Sequence, residues 1–250
     1  MPRFENVGLY DALFVMQDSE TKTLWNHITG EAMYGPMVGR TLGPLGNVLQ
    51  LTVKQALSMD ANTRVAISDR GYFVNGRQLG TAAGFGPPRG AGPGRGAPAA
   101  ARGGARGGGR GFNNPNAQLS EMFVATLGQE DMRRPRMDMG LGVWTNTTRR
   151  YYPMDRIRER GNAFVDQIDG RTIVVYIDPE TFAPAALFLN TANARLENGE
   201  VRLDNGQVIR AGGVLFDARG RRQNTERPQQ VFTRWYGFAL TLPGAEVFGQ

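Results

Sequence analysis

Leu13 to Gln17 is a short apolar run, and it stops at the polar cluster Asp18-Ser19-Glu20-Thr21. That pattern restricts the fold more than any other feature of the chain. A short run closed by residues that bond their own backbone suits a strand and a tight turn. Thr23 to Ile28 follows, rich in residues that favour a pleated surface. Thr29-Gly30 makes the next turn, and Glu31 to Val38 is a third run interrupted by Gly35-Pro36, as at an edge or a bulge. The stretch reads as three antiparallel strands around a core that includes Trp25 and Tyr34.

The same punctuation recurs downstream. Pro2 to Asp11 reads as a lead-in, Val48 to Val53 as a strand, and Thr52 to Met59 as a short helix. Thr63 to Ser68 and Gly71 to Leu79 are further strand expectations, and Gln118 to Leu127 has helical spacing. Met139 to Thr145 and Arg149 to Tyr152 are strands, Pro153 opens a short helix, and Gly161 ends it. Ala163 to Ile168 and Arg171 to Ile177 flank Asp169-Gly170, the strongest hairpin signal in the chain. Ala185 to Leu189 is a strand, and Leu196 to Leu203 with Gln207 to Phe216 is a hairpin-like pair. Val231 to Leu240 reads as a buried helix and Ala245 to Phe248 as a last strand.

The predicted class is α+β and β-rich, mainly antiparallel strands with a few short helices, in two similar strand–helix halves. Asp178-Pro179-Glu180-Thr181 repeats the layout of Asp18-Ser19-Glu20-Thr21. Gly39-Arg40 corresponds to Gly220-Arg221, helix 52–59 to 231–240, and strand 63–67 to 245–248. Residues 1–83 form the first half and 117–250 the second, packed as one domain with a core containing Trp25, Trp144 and Trp235. Residues 84–116 are a Gly/Arg/Pro-rich insert, expected to be disordered because it has too little apolar surface to offset chain entropy.

The net charge of +6 belongs to that insert. Without its Arg89, Arg95, Arg102, Arg106 and Arg110, the chain has 24 basic and 23 acidic residues. Weak nucleic-acid contact through these arginines is one expectation, though no aromatic residue is interleaved with them. Cysteine is absent, which excludes disulfides, thiol nucleophiles and thiolate metal sites. No run approaches the roughly 18 apolar residues of a membrane span. Met1-Pro2-Arg3-Phe4-Glu5 lacks the basic start and apolar core of a signal peptide, so export is expected only with an upstream extension.

The segment from Val15 to Leu42 resembles the bacterial family known as domain of unknown function 3179. The resemblance rests on Val15, Met16, Asp18, Thr21, Leu24, Trp25, Gly30, Glu31, Ala32, Gly35, Pro36, Gly39 and Leu42 at fixed spacings. Gly142-Val143 and Tyr152-Pro153-Met154-Asp155 resemble a second segment of that family, with Arg149-Arg150-Tyr151 departing from its small residue before Tyr-Pro. The family carries a Cys-bearing part before the Trp ladder, and this chain begins after it. The resemblance implies a fold relative without an assigned activity.

Three functional readings follow from the residues. The first is a non-catalytic binding or envelope-associated module. The second is an enzyme with a His27–carboxylate site, using Glu31 or Asp18, in a cleft between the halves. His27 is the only histidine, so a His-rich metal site is excluded, and alternation in the strand puts it on the face of Trp25. The bland alternative is a hydrogen-bonded structural His beside a core Trp. The third is RNA binding through the insert. No cofactor motif is present: there is no phosphate loop, strand-linked dinucleotide fingerprint or nucleophile elbow.

Overall fold

The computed structural model describes residues 3–43, 48–64 and 120–250. The described residues apart from 60–64 belong to one compact unit. Residues 60–64 belong to a second unit, in which Thr63 donates its N–H to the Asp60 carbonyl. The insert 84–116 with its five arginines, the strand expected at 71–79, and most of the one expected at 63–68 lie outside the described residues.

The architecture is α+β and β-rich. Strands β1 (Phe4–Tyr10), β2 (Leu13–Asp18), β3 (Leu24–Asn26) and β4 (Ala32–Tyr34) form an antiparallel meander. Strands β5 (Met139–Trp144) and β6 (Arg149–Pro153) pair antiparallel and lead into the helix Met154–Glu159. Strands β7 (Ala163–Ile168), β8 (Arg171–Ile177) and β9 (Pro184–Phe188) make a three-stranded sheet. A five-stranded meander follows: β10 (Ala194–Glu197), β11 (Glu200–Leu203), β12 (Val208–Arg210), β13 (Val214–Phe216) and β14 (Arg222–Gln223). Strand β15 (Gln229–Arg234) returns to β5, the helix Trp235–Thr241 follows, and β16 (Glu246–Val247) pairs parallel with β6.

Period-2 alternation sets the layers. In β8, Ile173, Val175 and Ile177 face β5 and β6, while Val174 and Tyr176 face the meander residues Val201, Ile209 and Leu215. Both faces of this strand are covered, so its sequence is almost continuously apolar. In β5, Met139, Leu141 and Val143 face the β7–β9 sheet, and Gly140 and Gly142 face Tyr151 and Phe238. A Cβ on Gly142 would lie 2.2 Å from the Phe238 ring, so only glycine lets that ring rest on the strand. Beyond it, Trp235, Phe238, Leu242 and Val247 form a third cluster.

The open edge of β9 is closed by a side chain. The buried Gln230 accepts from the Ala186 N–H at 2.7 Å and donates to the Ala186 carbonyl at 3.0 Å, as a neighbouring strand would. Helix 154–159 ends as its sequence indicates: Asn162 N–H reaches the Ile157 carbonyl, and Gly161 N–H the Arg158 carbonyl. This is a Schellman closure on a glycine at φ +76°.

Several expectations are overturned. Residues 4–10 form a strand and not a lead-in; most of β1 is exposed and it carries a bulge between Asn6 and Gly8, so no buried face shows in its pattern. Residues 231–240 are not one helix, because β15 pairs with β5 through Arg234 before the helix begins at Trp235. Residues 48–52 form no strand, and the helix expected at 118–127 spans only Glu121–Val124 among the described residues. Residues 194–216 hold two hairpins in one meander. The three tryptophans do not share a core. Trp144 packs with the Trp235 cluster, whereas Trp25 is buried in the N-terminal sheet, outside that cluster.

Candidate functional site

Two aspartates at strand ends organise matching loops. Asp18 accepts from the N–H groups of Glu20 (3.0 Å) and Thr23 (3.1 Å), the N–H and hydroxyl of Thr21, and the Trp25 indole N–H (2.9 Å). Asp178 accepts from the N–H groups of Glu180 (3.0 Å) and Thr181 (2.9 Å) and from the Thr181 hydroxyl (3.2 Å). Each loop has one left-handed residue, Lys22 at φ +59° and Phe182 at φ +56°. Each closes with a backbone bond, from Asp18 to Thr23 and from Asp178 to Ala183. The loop copies thus share their Asp-centred bonds, although the counterpart of helix 52–59 expected at 231–240 is strand through Arg234 and helix only from Trp235.

The two aspartates differ in what completes them. Asp18 ends on Trp25. Asp178 also accepts from the Gly212 N–H at 2.7 Å and from Gln55 Nε2 at 3.1 and 3.3 Å. Around Asp178 stand Tyr176, Gly213 and Arg227. Arg227 Nη2 donates to the Gly213 carbonyl at 3.0 Å, and both Nη2 and the Tyr176 hydroxyl lie close to Gly213. Burial pushes the Tyr176 phenol above its ordinary pKa. Arg227 Nη1 is buried without a hydrogen-bond partner in the protein. A cavity of about 20 Å³ lies here, lined by Leu49, Gln50 and Leu51 on one side and Tyr176, Asp178 and Arg227 on the other. That volume suits a single water molecule.

A larger, open groove of about 470 Å³ lies between the β5–β6 turn, the β7–β8 turn and residues 226–229. Trp144, Ile168, Phe188 and Pro228 give it an apolar floor. Arg171 forms a two-pronged pair with Glu226 at 2.8 and 2.6 Å, and its guanidinium sits 3.7 Å from the Phe188 ring centre. Asp169 accepts from the hydroxyls of Thr145 and Thr148, and these bonds hold its carboxyl below the usual range. The exposed side chains of Asn146 and Gln229 complete the rim.

The structure scatters the residues singled out from sequence. His27 is exposed in the turn after β3, and its Nδ1 lies 2.7 Å from the Phe14 carbonyl oxygen. It therefore does not share a strand face with Trp25. Glu31 is exposed and accepts from the Thr29 hydroxyl at 3.1 Å. Asp18 is buried and joined to Trp25, and no hydrogen bond or ion pair links His27 to either acid. The sequence does not mark Gln55, Gly212, Tyr176 and Arg227 as a cluster. The spacing Thr52-x-x-Gln55 was the one available signal, being that of a helix capping box. Among the described residues no group of three His, Cys, Asp or Glu side chains is arranged to hold a metal, and no helix is long and apolar enough to cross a membrane.

No family model matches the chain, and neither a curated protein nor a solved structure matches it.

Proposed function

We propose that this chain is a non-catalytic binding module of the domain of unknown function 3179 type, and that its groove at Trp144 and Phe188 takes an extended peptide. The observation that carries the non-catalytic reading is the use made of the motif between Val15 and Leu42. Asp18, Thr21 and Trp25 are joined through the Asp18 carboxylate, and Gly30, Gly35 and Gly39 have φ of +70°, +112° and +87°. Such residues are required by turns and caps, and none of them lines the cavities described above. A pattern with these duties needs no reaction to account for it.

The groove supports the choice of ligand. Its volume lies within the usual range for binding sites, and an apolar floor of four side chains is bordered by a polar and charged rim. The carboxamides of Asn146 and Gln229 can donate to and accept from peptide groups, while Trp144 and Phe188 offer surfaces for side chains. Selection from a displayed peptide library tests this reading. Bound peptides should lose about tenfold or more in affinity with Trp144→Ala, the loss expected of an aromatic anchor, and keep it with His27→Asn. Binding indifferent to Trp144→Ala and Phe188→Ala, or an activity that disappears with His27→Asn, would overturn it.

A further inference from the structure

Residues 48–59 are attached to the protein in an unusual way. The helix Val53–Met59 buries one side chain, Gln55, while Val53 and Leu57 are exposed at 67% and 48%. An amphipathic surface helix normally turns its apolar stripe inward. Here the inward group is polar. Gln55 Oε1 accepts from the Thr52 N–H at 2.8 Å, and the Thr52 hydroxyl accepts from the Gln55 N–H at 3.1 Å. The amide oxygen thus starts the helix, and the amide nitrogen is left for Asp178. At the other end Arg222 donates to the carbonyls of Ser58 and Met59. Leu49, Gln50 and Leu51 roof the small cavity over Tyr176, Asp178 and Arg227.

We propose that residues 48–59 are a lid over the Asp178–Tyr176–Arg227 cluster, latched by Gln55 and Arg222, that opens while the sheets beneath stay folded. The loop copies supply the reason. Asp18 holds its loop with the Thr21 hydroxyl, backbone N–H groups and the Trp25 indole, and none of these partners comes from a helix. Asp178 has the equivalent bonds from Glu180 and Thr181, and a further one from Gly212. Its loop therefore keeps its closure when Gln55 leaves. The open form presents a carboxylate, a phenol and the free Nη1 of Arg227 on one surface. A polar latch suits a reversible lid better than an apolar one, since water can replace its hydrogen bonds at both partners.

The lysines make the test direct. The chain has two, Lys22 in the β2–β3 turn and Lys54 in the lid helix. A lysine-specific endoprotease acting on the native full chain therefore reads lid opening at Lys54 and unfolding of the N-terminal sheet at Lys22. Gln55→Met removes the donor to Asp178 without adding charge. Gln55→Glu keeps the capping oxygen and sets a second carboxylate beside Asp178. Each should speed cleavage at Lys54 about tenfold or more, the factor implied by losing a hydrogen bond to a charged group, with cleavage at Lys22 and the melting temperature unchanged. Arg222→Gln should act in the same direction. Cleavage at Lys54 that is unchanged in Gln55→Met and Arg222→Gln, or that rises only in step with Lys22, would overturn the proposal.

Discussion

Asp18 shows how much one side chain does in a small loop. The Thr21 hydroxyl, with the Trp25 indole and the N–H groups of Thr21 and Glu20, outweighs desolvation and holds its carboxyl far below the ordinary range. A folded pKa below the unfolded value, near 3.8, stabilises the fold at higher pH and loses that stabilisation as pH falls toward the folded pKa. Urea midpoints measured from about pH 5 down to pH 2 should therefore fall less steeply in Asp18→Asn than in the parent, starting from a lower value. Trp25 is 5% exposed and spends its N–H on Asp18, so Trp25→Ala should cost about 3–5 kcal/mol by chemical denaturation. His27 is exposed with one ring bond to a carbonyl, and His27→Asn should change stability by about 0.5 kcal/mol or less in the same assay. The Asp18 turn is legible because Asp, Ser and Thr bond neighbouring backbone. The fate of His27 is not, because it depends on β3 ending at Asn26, one residue short of it.

Among the elements, β9 and β5 depend on groups far along the chain. Gln230→Leu keeps the bulk but leaves the Ala186 N–H and carbonyl buried without partners. It should cost about 2–4 kcal/mol, measured by denaturant unfolding, since each buried orphan costs about 1–3 kcal/mol. Gly142→Ala would drive a methyl into the Phe238 ring. Phe238→Leu in the same chain should recover part of the loss, which distinguishes a clash from a backbone effect. Hairpin β7–β8 could be read at once, as both Asp169 and Gly170 have positive φ in the turn their sequence demands. Strand β15 could not: an apolar run from 231 to 240 fits strand or helix, and pairing with β5 decides its first part.

Over the whole molecule, β7–β9 lies between the β5–β6 sheet and the β10–β14 meander, and helix 235–241 covers the far side of β5. The N-terminal sheet is tied in through its first turn. Asp11 N–H donates to the Thr126 carbonyl, Ala12 N–H to the Thr126 hydroxyl, and Gly128 N–H to the Asp11 carboxylate. The charge of the chain outside 84–116 is near balance, with 24 basic and 23 acidic residues. Deleting 84–116 should shift stability by about 1 kcal/mol or less, because closure cost grows slowly with loop length. The same deletion should abolish any salt-dependent retention on a polyanion column. A large fall in melting temperature would mean that these residues contribute to the core.

Turn chemistry and strand periodicity are local, and the sequence by itself determined them. The β-rich class, both aspartate loops, the Asp169-Gly170 hairpin and the Gly161 helix stop follow from residues within a few positions of one another. The tertiary structure alone decided which distant groups meet. Gln55 reaches Asp178, Gln230 closes β9, Arg222 caps the lid helix, and Trp25 is separated from Trp144 and Trp235. The reason is that a hydrogen-bond donor or an apolar face carries no address. Its local sequence states what it needs, and only the packed layers determine which partner is within reach.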